Sequence, residues 1–304
     1  MVAQYERLLD ILLPVFLWVS IGIGLRFLLL KISESTDQLI RSSITRYVMN
    51  IATPMLILAT FSSITIKFED ALAMIAAGFL YLIVSLVITI ICLFFLLENF
   101  RSYWHPLVFG NIGNLGLSIS FYTYGDIGLS YAISFFVVMV SAQFFLTPLA
   151  FLGAKQKKIK LITSVPVIPA TLVGITMLAY GFSLDGPIFE VINIIGSTAI
   201  PLSLVSLGIA IVSLKVVANK KLIILSFVRI FVGLSASLVV IAVTSLGTIG
   251  NGILLLNGVM PTAIFCYLFA LQYNNQPEEV AGIVLITTLI GIVFIPSVVF
   301  LLIS

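Results

Sequence analysis

Two asparagines and three glycines interrupt an apolar run of this 304-residue chain, in the segment Gly110-Asn111-Ile112-Gly113-Asn114-Leu115-Gly116. Inside a bilayer, each unpaired backbone N–H or C=O group costs several kcal/mol, so irregular backbone is tolerated only against protein or a water-filled cavity. Asparagine side chains both donate and accept hydrogen bonds. The segment therefore predicts a broken helix that contributes Asn111, Gly113, Asn114 and Gly116 to a solute-binding site.

A second interruption, Met260-Pro261-Thr262, lies in a later apolar run. Proline has no backbone N–H and ends a helix, and Thr262 adds a hydroxyl beside it. Each break starts a new half-helix, whose free N–H groups carry about half a positive charge. Two such ends facing one cavity would attract an anion, so Pro261 and Thr262 are predicted to complete the site. The alternative is that the small residues only allow close packing of helices.

Arg229 is the one charged residue placed well inside an apolar run. It follows Lys221 by eight residues, which is about 12 Å along a helix at about 1.5 Å per residue. Its side chain could reach back toward the membrane interface or bond to a neighbouring helix. It could instead act electrostatically on a bound anion, and for that reason Arg229 is included in the predicted substrate-binding set.

Acidic residues are absent from the interiors of the predicted spans, since all 12 lie in connections or at helix ends. The single histidine, His105, begins the fourth run, where an interfacial position is expected. A proton relay usually needs a buried acid or histidine, so coupling through an internal carboxylate is not expected. Cys92 and Cys266 do not form a metal or disulfide pattern, and no catalytic or phosphate-binding motif is present. The sequence predicts no enzyme, no metal, no cofactor and no nucleic-acid partner.

The elements that must position these residues are membrane-spanning helices. The chain is 61% hydrophobic and only 9% charged, with a mean hydropathy of +1.25, whereas soluble domains carry about 25% charged residues. A span needs about 20 apolar residues. Ten such runs are present: Ile11–Leu30, Ile44–Ile66, Ala71–Leu97, Trp104–Tyr124, Ile127–Leu152, Leu161–Phe182, Ile188–Leu214, Leu222–Leu246, Gly252–Tyr273 and Val280–Ile303.

Positive charge is distributed unequally between alternate connections, and the richer side is predicted to be cytoplasmic. The poorer side carries only Arg7 and Lys67. Both termini are then external, in a multi-pass protein of the plasma membrane. The richer side carries Arg26, Lys31, Arg41, Arg46, Arg101, Lys155, Lys157, Lys158, Lys160, Lys215, Lys220 and Lys221.

Proline spacing indicates an internal repeat. Pro54 precedes Asn114 by 60 residues, and Pro201 precedes Pro261 by the same 60. Pro148 and Pro296 follow the same two prolines by 94 and 95 residues. Five helices in each half would place the second half upside down in the membrane, as an inverted repeat. The expected organisation is residues 1–152, a short basic cytoplasmic linker at 153–160, and residues 161–304.

Several of these segments resemble the auxin efflux carrier family. Residues 200–208, Ile-Pro-Leu-Ser-Leu-Val-Ser-Leu-Gly, are similar to its Pro-Leu-x-Leu-x-x-Leu-Gly signature. Residues 111–117 and 124–129 resemble its fourth helix and the following turn, and Met260-Pro261-Thr262-Ala263 resembles its ninth helix. Ser118 departs from the pattern, because the family often has proline there.

The resemblance implies an all-α fold of ten helices in two inverted halves, divided into a scaffold and a transport domain. It implies crossed fourth and ninth helices, elevator-like alternating access, and organic-anion substrates such as auxins or small mono- and dicarboxylates. The short linker is typical of prokaryotic members. The expected partners are the substrate anion, the lipid bilayer and a second copy bound through the scaffold domain.

Two alternatives remain open. The bile acid/sodium symporter family has a similar topology, but its ninth helix usually offers a glutamate, and residues 257–271 contain no acid. A membrane receptor could also keep the carrier fold and sense a ligand without moving it.

Overall fold

The computed structural model describes residues 2–63, 66–152, 166–213 and 219–303, and the regular elements within these ranges are helices. The predicted linker 153–160 and the start of the predicted sixth span lie outside the described residues. In chain order the helices are α1 (Val2–Ile32), α2 (Glu34–Tyr47), the π-helical turn π1 (Val48–Ala52), α3 (Thr53–Ser62), α4 (Phe68–Phe95), α5 (Phe100–Val108), the π-helical turn π2 (Ile112–Gly116), α6 (Leu117–Leu152), α7 (Val167–Tyr180), α8 (Gly186–Ser197), α9 (Ala199–Ser213), α10 (Lys220–Val243), α11 (Gly247–Gly258), α12 (Ile264–Gln272) and α13 (Pro277–Ile303).

Seven helices in the described part of the chain are long and apolar enough to cross a membrane, fewer than the ten predicted spans. The difference has three local causes. The predicted ninth run is divided into α11 and α12, both too short to count alone. The described part of the sixth run is the shorter α7. The fourth and fifth runs merge in α6, although Gly125 has non-helical torsion angles (φ 63°, ψ −151°) where a turn between two spans was predicted.

Large apolar side chains cover the outer surface of the described helices. On α4, for example, Phe79, Ile83, Ile90 and Phe94 are each more than half exposed. Soluble proteins rarely expose such continuous apolar surface, whereas lipid tails are as apolar as these side chains. The exposed surface of these helices is therefore suited to lipid.

The helices pack as two groups that cut across the order of the chain. The first group contains α1, α2, α3, α7, α8 and α9, and the second contains α4, α5, α6, α10, α11, α12 and α13. Within the first group, α1 and α9 approach until a Cβ atom at Gly22 or Gly208 would overlap a backbone carbonyl of the other helix. Small residues allow this kind of close helix contact inside membranes.

A polar cluster ties the start of α5 to two neighbouring helices of the second group. Lys221 Nζ donates to both carboxylate oxygens of Glu279, at 2.9 and 2.8 Å, and to the hydroxyl oxygen of Tyr103 at 2.7 Å. The Tyr103 hydroxyl in turn donates to Glu279. These bonds join α5, α10 and α13, so they restrict how far the short helix α5 can shift.

Candidate functional site

Two helical runs of the second group are each interrupted, and the two interruptions lie side by side. Helix α5 ends at Val108, and the next residue, Phe109, already has an extended backbone (φ −94°, ψ 112°) before π2 begins at Ile112. Helix α11 ends at Gly258, and α12 begins at Ile264. The breaks predicted from the glycine-rich segment and from Pro261 are confirmed.

The two breaks bind each other through their backbones. The Asn111 N–H donates to the Pro261 carbonyl at 2.7 Å, and the Ala263 N–H donates to the Phe109 carbonyl at 3.0 Å. Gly110 and Thr262 thus face each other in an antiparallel bridge. Each broken helix supplies the hydrogen bonds that the other has lost, which buried backbone requires. We refer to the bonded segments, residues 109–111 and 261–263, as the crossing.

Thr262 is fully buried within the crossing. Its hydroxyl donates to the Pro106 carbonyl at 2.9 Å, and its N–H donates to Thr287 Oγ1 at 3.1 Å. In an unbroken helix the Pro106 carbonyl would accept from Gly110, so the Thr262 hydroxyl replaces a bond that the break removes. The geometry places Thr262 as a residue that holds the two breaks together.

Replacement of Thr262 by valine should therefore lower the free energy of unfolding by about 1–3 kcal/mol. Valine keeps the shape of the side chain but leaves the buried Pro106 carbonyl without its donor. Chemical unfolding in detergent micelles measures the change. Thr262→Ser keeps the hydroxyl and serves as the control, and equal losses in the two variants would contradict this role.

The three glycines of the segment face three different neighbours. A Cβ atom at Gly110 would overlap Arg229 Nη2, and one at Gly116 would overlap Asn257 Oδ1. A Cβ atom at Gly113 would lie 3.0 Å from the ring of Phe136. The glycines therefore admit close neighbours on several sides of the broken helix.

Asn111 and Asn114 present side-chain amides that have no hydrogen-bond partner among the described residues. Asn111 is only 5% exposed, and both residues line a small cavity of about 30 Å³ beside the crossing. The backbone N–H groups of Gly113 and Asn114, at the start of π2, also have no acceptor in the described ranges. Donors from two side chains and one half-helix start are thus collected at this cavity.

Ser118, the departure from the family pattern, leaves these donors in place. Its hydroxyl donates to the Asn114 carbonyl at 2.8 Å, and Ser203 Oγ lies 3.4 Å from the same oxygen. The Asn114 side chain is not used by either bond.

A smaller gap separates this cavity from a larger one between the two helix groups. The larger cavity has a volume of about 260 Å³ and is lined by α3, α6, α8 and the start of α9, with Thr60, Tyr122, Asp126 and Asn193 among its polar side chains. A gap of about 10 Å³ shares Asn114 with the small cavity and Leu56 with the large one. The three cavities therefore lie next to one another, from the boundary between the groups to the crossing.

Met49, Phe136 and Gln143 also line the small cavity, and the sequence did not assign them to the site. Nothing in the sequence marks Met49 and Phe136 as site residues, because they are apolar residues in apolar runs. Gln143 is a polar residue inside a predicted span, and such a residue can form an interhelical hydrogen bond as well as contact a substrate. Its Nε2 atom lies 3.4 Å from His105 Nε2 and 3.5 Å from Cys266 Sγ, so it connects the cavity to α5 and α12.

His105, expected at the membrane interface, is 1% exposed and lies among the packed helices of the second group. The rings of Trp104, Phe109 and Phe269 surround it, with centroid distances of 5.5, 5.1 and 5.6 Å. Its burial follows from the place of α5 inside the second helix group, where α12 packs against it.

Arg229 is fully buried, so its side chain does not reach back to the membrane interface as one interpretation supposed. None of its three guanidinium nitrogens has a hydrogen-bond partner among the described residues. Its Nη2 atom lies against Gly110, yet Arg229 does not line the small cavity. Arg229 is therefore behind the crossing, separated from Asn111 and Asn114 by backbone.

Comparison with known proteins adds one finding. A family model described as membrane transport protein matches residues 154–301. This match covers the predicted second half of the chain, including Pro201, Arg229 and Pro261. No curated protein matches the chain.

Proposed function

We propose that the chain is a secondary carrier of small organic anions of the auxin efflux carrier family, since residues 154–301 match the family model described as membrane transport protein. The observation that carries the anion assignment is the crossing. Two half-helix starts and the unpartnered amides of Asn111 and Asn114 meet beside one cavity. Hydrogen-bond donors and positive helix ends suit a carboxylate.

The proposed architecture has ten spans in two inverted five-helix repeats, residues 1–152 and 161–304, joined by a cytoplasmic linker at 153–160. The broken fourth and ninth spans correspond to α5–π2–α6 and α11–α12. This assignment is supported by the positions of the two breaks inside the predicted runs Trp104–Tyr124 and Gly252–Tyr273.

In the proposed mechanism the first helix group is the scaffold and the second is the transport domain. The crossing would carry the anion as the second group shifts against the first, in elevator-like alternating access. The large cavity supports this division, because residues of both groups line it. Its volume of about 260 Å³ is below the 300–1,000 Å³ of drug-sized ligand pockets, which favours a small substrate such as a mono- or dicarboxylate.

Within the crossing, the predicted site residues have different proposed roles. Asn111 and Asn114 would bind the anion directly, and Gly113 would do so through its N–H group. Pro261 and Thr262 would hold the second break in place. Gly116 would leave space for the side chain of Asn257. We further propose a plasma-membrane location with both termini external, on the charge distribution, and a homodimer through the scaffold.

Uptake into proteoliposomes tests the proposal. We expect saturable uptake of at least one of acetate, succinate and indole-3-acetate by vesicles that contain the protein, and none by empty vesicles. Sodium and pH gradients, applied separately, identify the coupling ion. Binding of these anions without flux under any gradient would instead make the protein a ligand sensor.

A further inference from the structure

The four half-helix ends at the crossing raise an electrostatic problem. Helices α12 and π2–α6 start there with positive ends, whereas α5 and α11 finish there with negative ends. Each end is equivalent to about half a unit charge. Two positive and two negative ends nearly cancel, so without a further charge the helix ends would add little to the anion preference that the amides of Asn111 and Asn114 give.

Arg229 lies beside the two negative ends. Its Nη2 atom occupies the space that a Cβ atom at Gly110 would need, two residues after α5 finishes. Its Nη1 atom would be 2.6 Å from a Cβ atom at Gly233, and the carbonyl oxygen of Gly258, the last residue of α11, approaches that same position. One guanidinium group therefore lies close to the carboxyl end of α11 and two residues past that of α5, without a hydrogen bond to either among the described residues.

The charge of Arg229 is not balanced by an acid among the described residues. The carboxylate of Glu279, which contacts the first turn of α10, is already bonded to Lys221 and Tyr103. A fully buried charge without a partner is strongly unfavourable. The partial negative charges of the two carboxyl ends are the available compensation, and together they amount to about one unit charge.

We propose that Arg229 determines the charge selectivity of the carrier as a positioning residue that does not touch the substrate. Its guanidinium offsets the carboxyl ends of α5 and α11. The amino ends of α12 and π2 are then left uncompensated toward the small cavity, where they favour a negative substrate. This inference rests on the proposed function and specifies how the same site selects anions.

Equilibrium binding with paired probes tests the role of Arg229. Thermal-shift titration of the purified full chain compares acetate, succinate and indole-3-acetate with their neutral amides acetamide, succinamide and indole-3-acetamide. For Arg229→Met we expect roughly tenfold weaker binding of the carboxylates, the order expected for one unit charge acting through a protein interior. Amide binding should change by less than about twofold, because a neutral probe does not sense the charge.

Arg229→Lys keeps the charge and should retain the preference for carboxylates, whereas Arg46→Gln, which removes an exposed arginine of α2, should have no effect. If Arg229→Met does not fold, Arg229→Gln provides the neutral variant. An unchanged preference for carboxylates in either neutral variant overturns the inference. The inference is also overturned if both neutral variants fail to fold while Arg229→Lys folds, because the charge would then only stabilise the fold.

The wild-type measurements separate this inference from the proposed function. If the wild-type protein binds and moves none of the three carboxylates, the proposed function fails. If the wild-type protein binds them and only the variant comparison fails, the carrier assignment stands and Arg229 loses its selectivity role.

Discussion

Alanine at both Asn111 and Asn114 is expected to abolish measurable uptake while the protein stays folded. A hydrogen bond to a charged group contributes about 1.5–3 kcal/mol, and about 1.4 kcal/mol corresponds to a factor of ten in affinity. Each single variant should therefore weaken anion affinity about 10- to 100-fold. The double variant should lose more, since it removes both side-chain amides from the small cavity.

Folding should survive these changes because the fold does not use the two amides. The crossing depends on the backbone N–H of Asn111, which donates to Pro261, and alanine keeps that group. Neither side chain has a hydrogen-bond partner among the described residues, so alanine removes no bond there. Initial uptake rates in proteoliposomes, with a melting temperature in detergent for each variant, measure the two effects separately.

Asn193→Ala is the matched control. Asn193 is exposed and lines the large cavity rather than the small one. Water can replace the hydrogen bonds of an exposed amide, so Asn193→Ala should change anion affinity by less than about twofold. Uptake at the wild-type rate by both Asn111→Ala and Asn114→Ala would remove the proposed anion site from the crossing.

The positions of the breaks could be predicted from the sequence because their causes are local. Proline removes a backbone donor wherever it occurs, and a glycine-rich segment inside an apolar run has few explanations in lipid. The membrane class follows in the same way from composition. These are properties of residue types and need no knowledge of neighbouring helices.

The neighbours across the breaks could not be predicted, because they depend on how helices pack. Spacing along the chain relates Asn114 to Pro261, whereas in the structure the Pro261 carbonyl accepts from Asn111. The position of Arg229 along α10 does not reveal which face of this helix turns toward the crossing. The sequence treated the Thr262 hydroxyl as a group of the site, and the structure uses it on Pro106.

Gly116 illustrates how one such contact can be tested. Asn257 has its Nδ2 atom bonded to the Ile253 carbonyl of its own helix at 2.9 Å, while its Oδ1 atom is buried without a partner among the described residues and points at Gly116. A methyl group at Gly116 would occupy the position of this oxygen. Gly116 therefore has to be small so that α11 can pack against the start of the broken helix.

Gly116→Ala should lower the free energy of unfolding by about 1–3 kcal/mol, the usual cost of inserting a group into a packed interior. It should also reduce uptake, because the shift displaces π2 and with it Asn114. Asn257→Ala alone should change stability by less than about 1 kcal/mol, since it removes one hydrogen bond within a helix and also an unpaired buried acceptor.

The double variant Gly116→Ala/Asn257→Ala distinguishes this contact from a general requirement for glycine. If the oxygen of Asn257 causes the loss, the double variant should recover most of the stability and part of the uptake, giving a coupling energy of about 1–3 kcal/mol. Gly24→Ala in α1 is the control, because a Cβ atom there would meet nothing within 4 Å. Equal losses from Gly116→Ala with and without Asn257 would show that the glycine is needed for its backbone, and that α11 does not set the position of the first break.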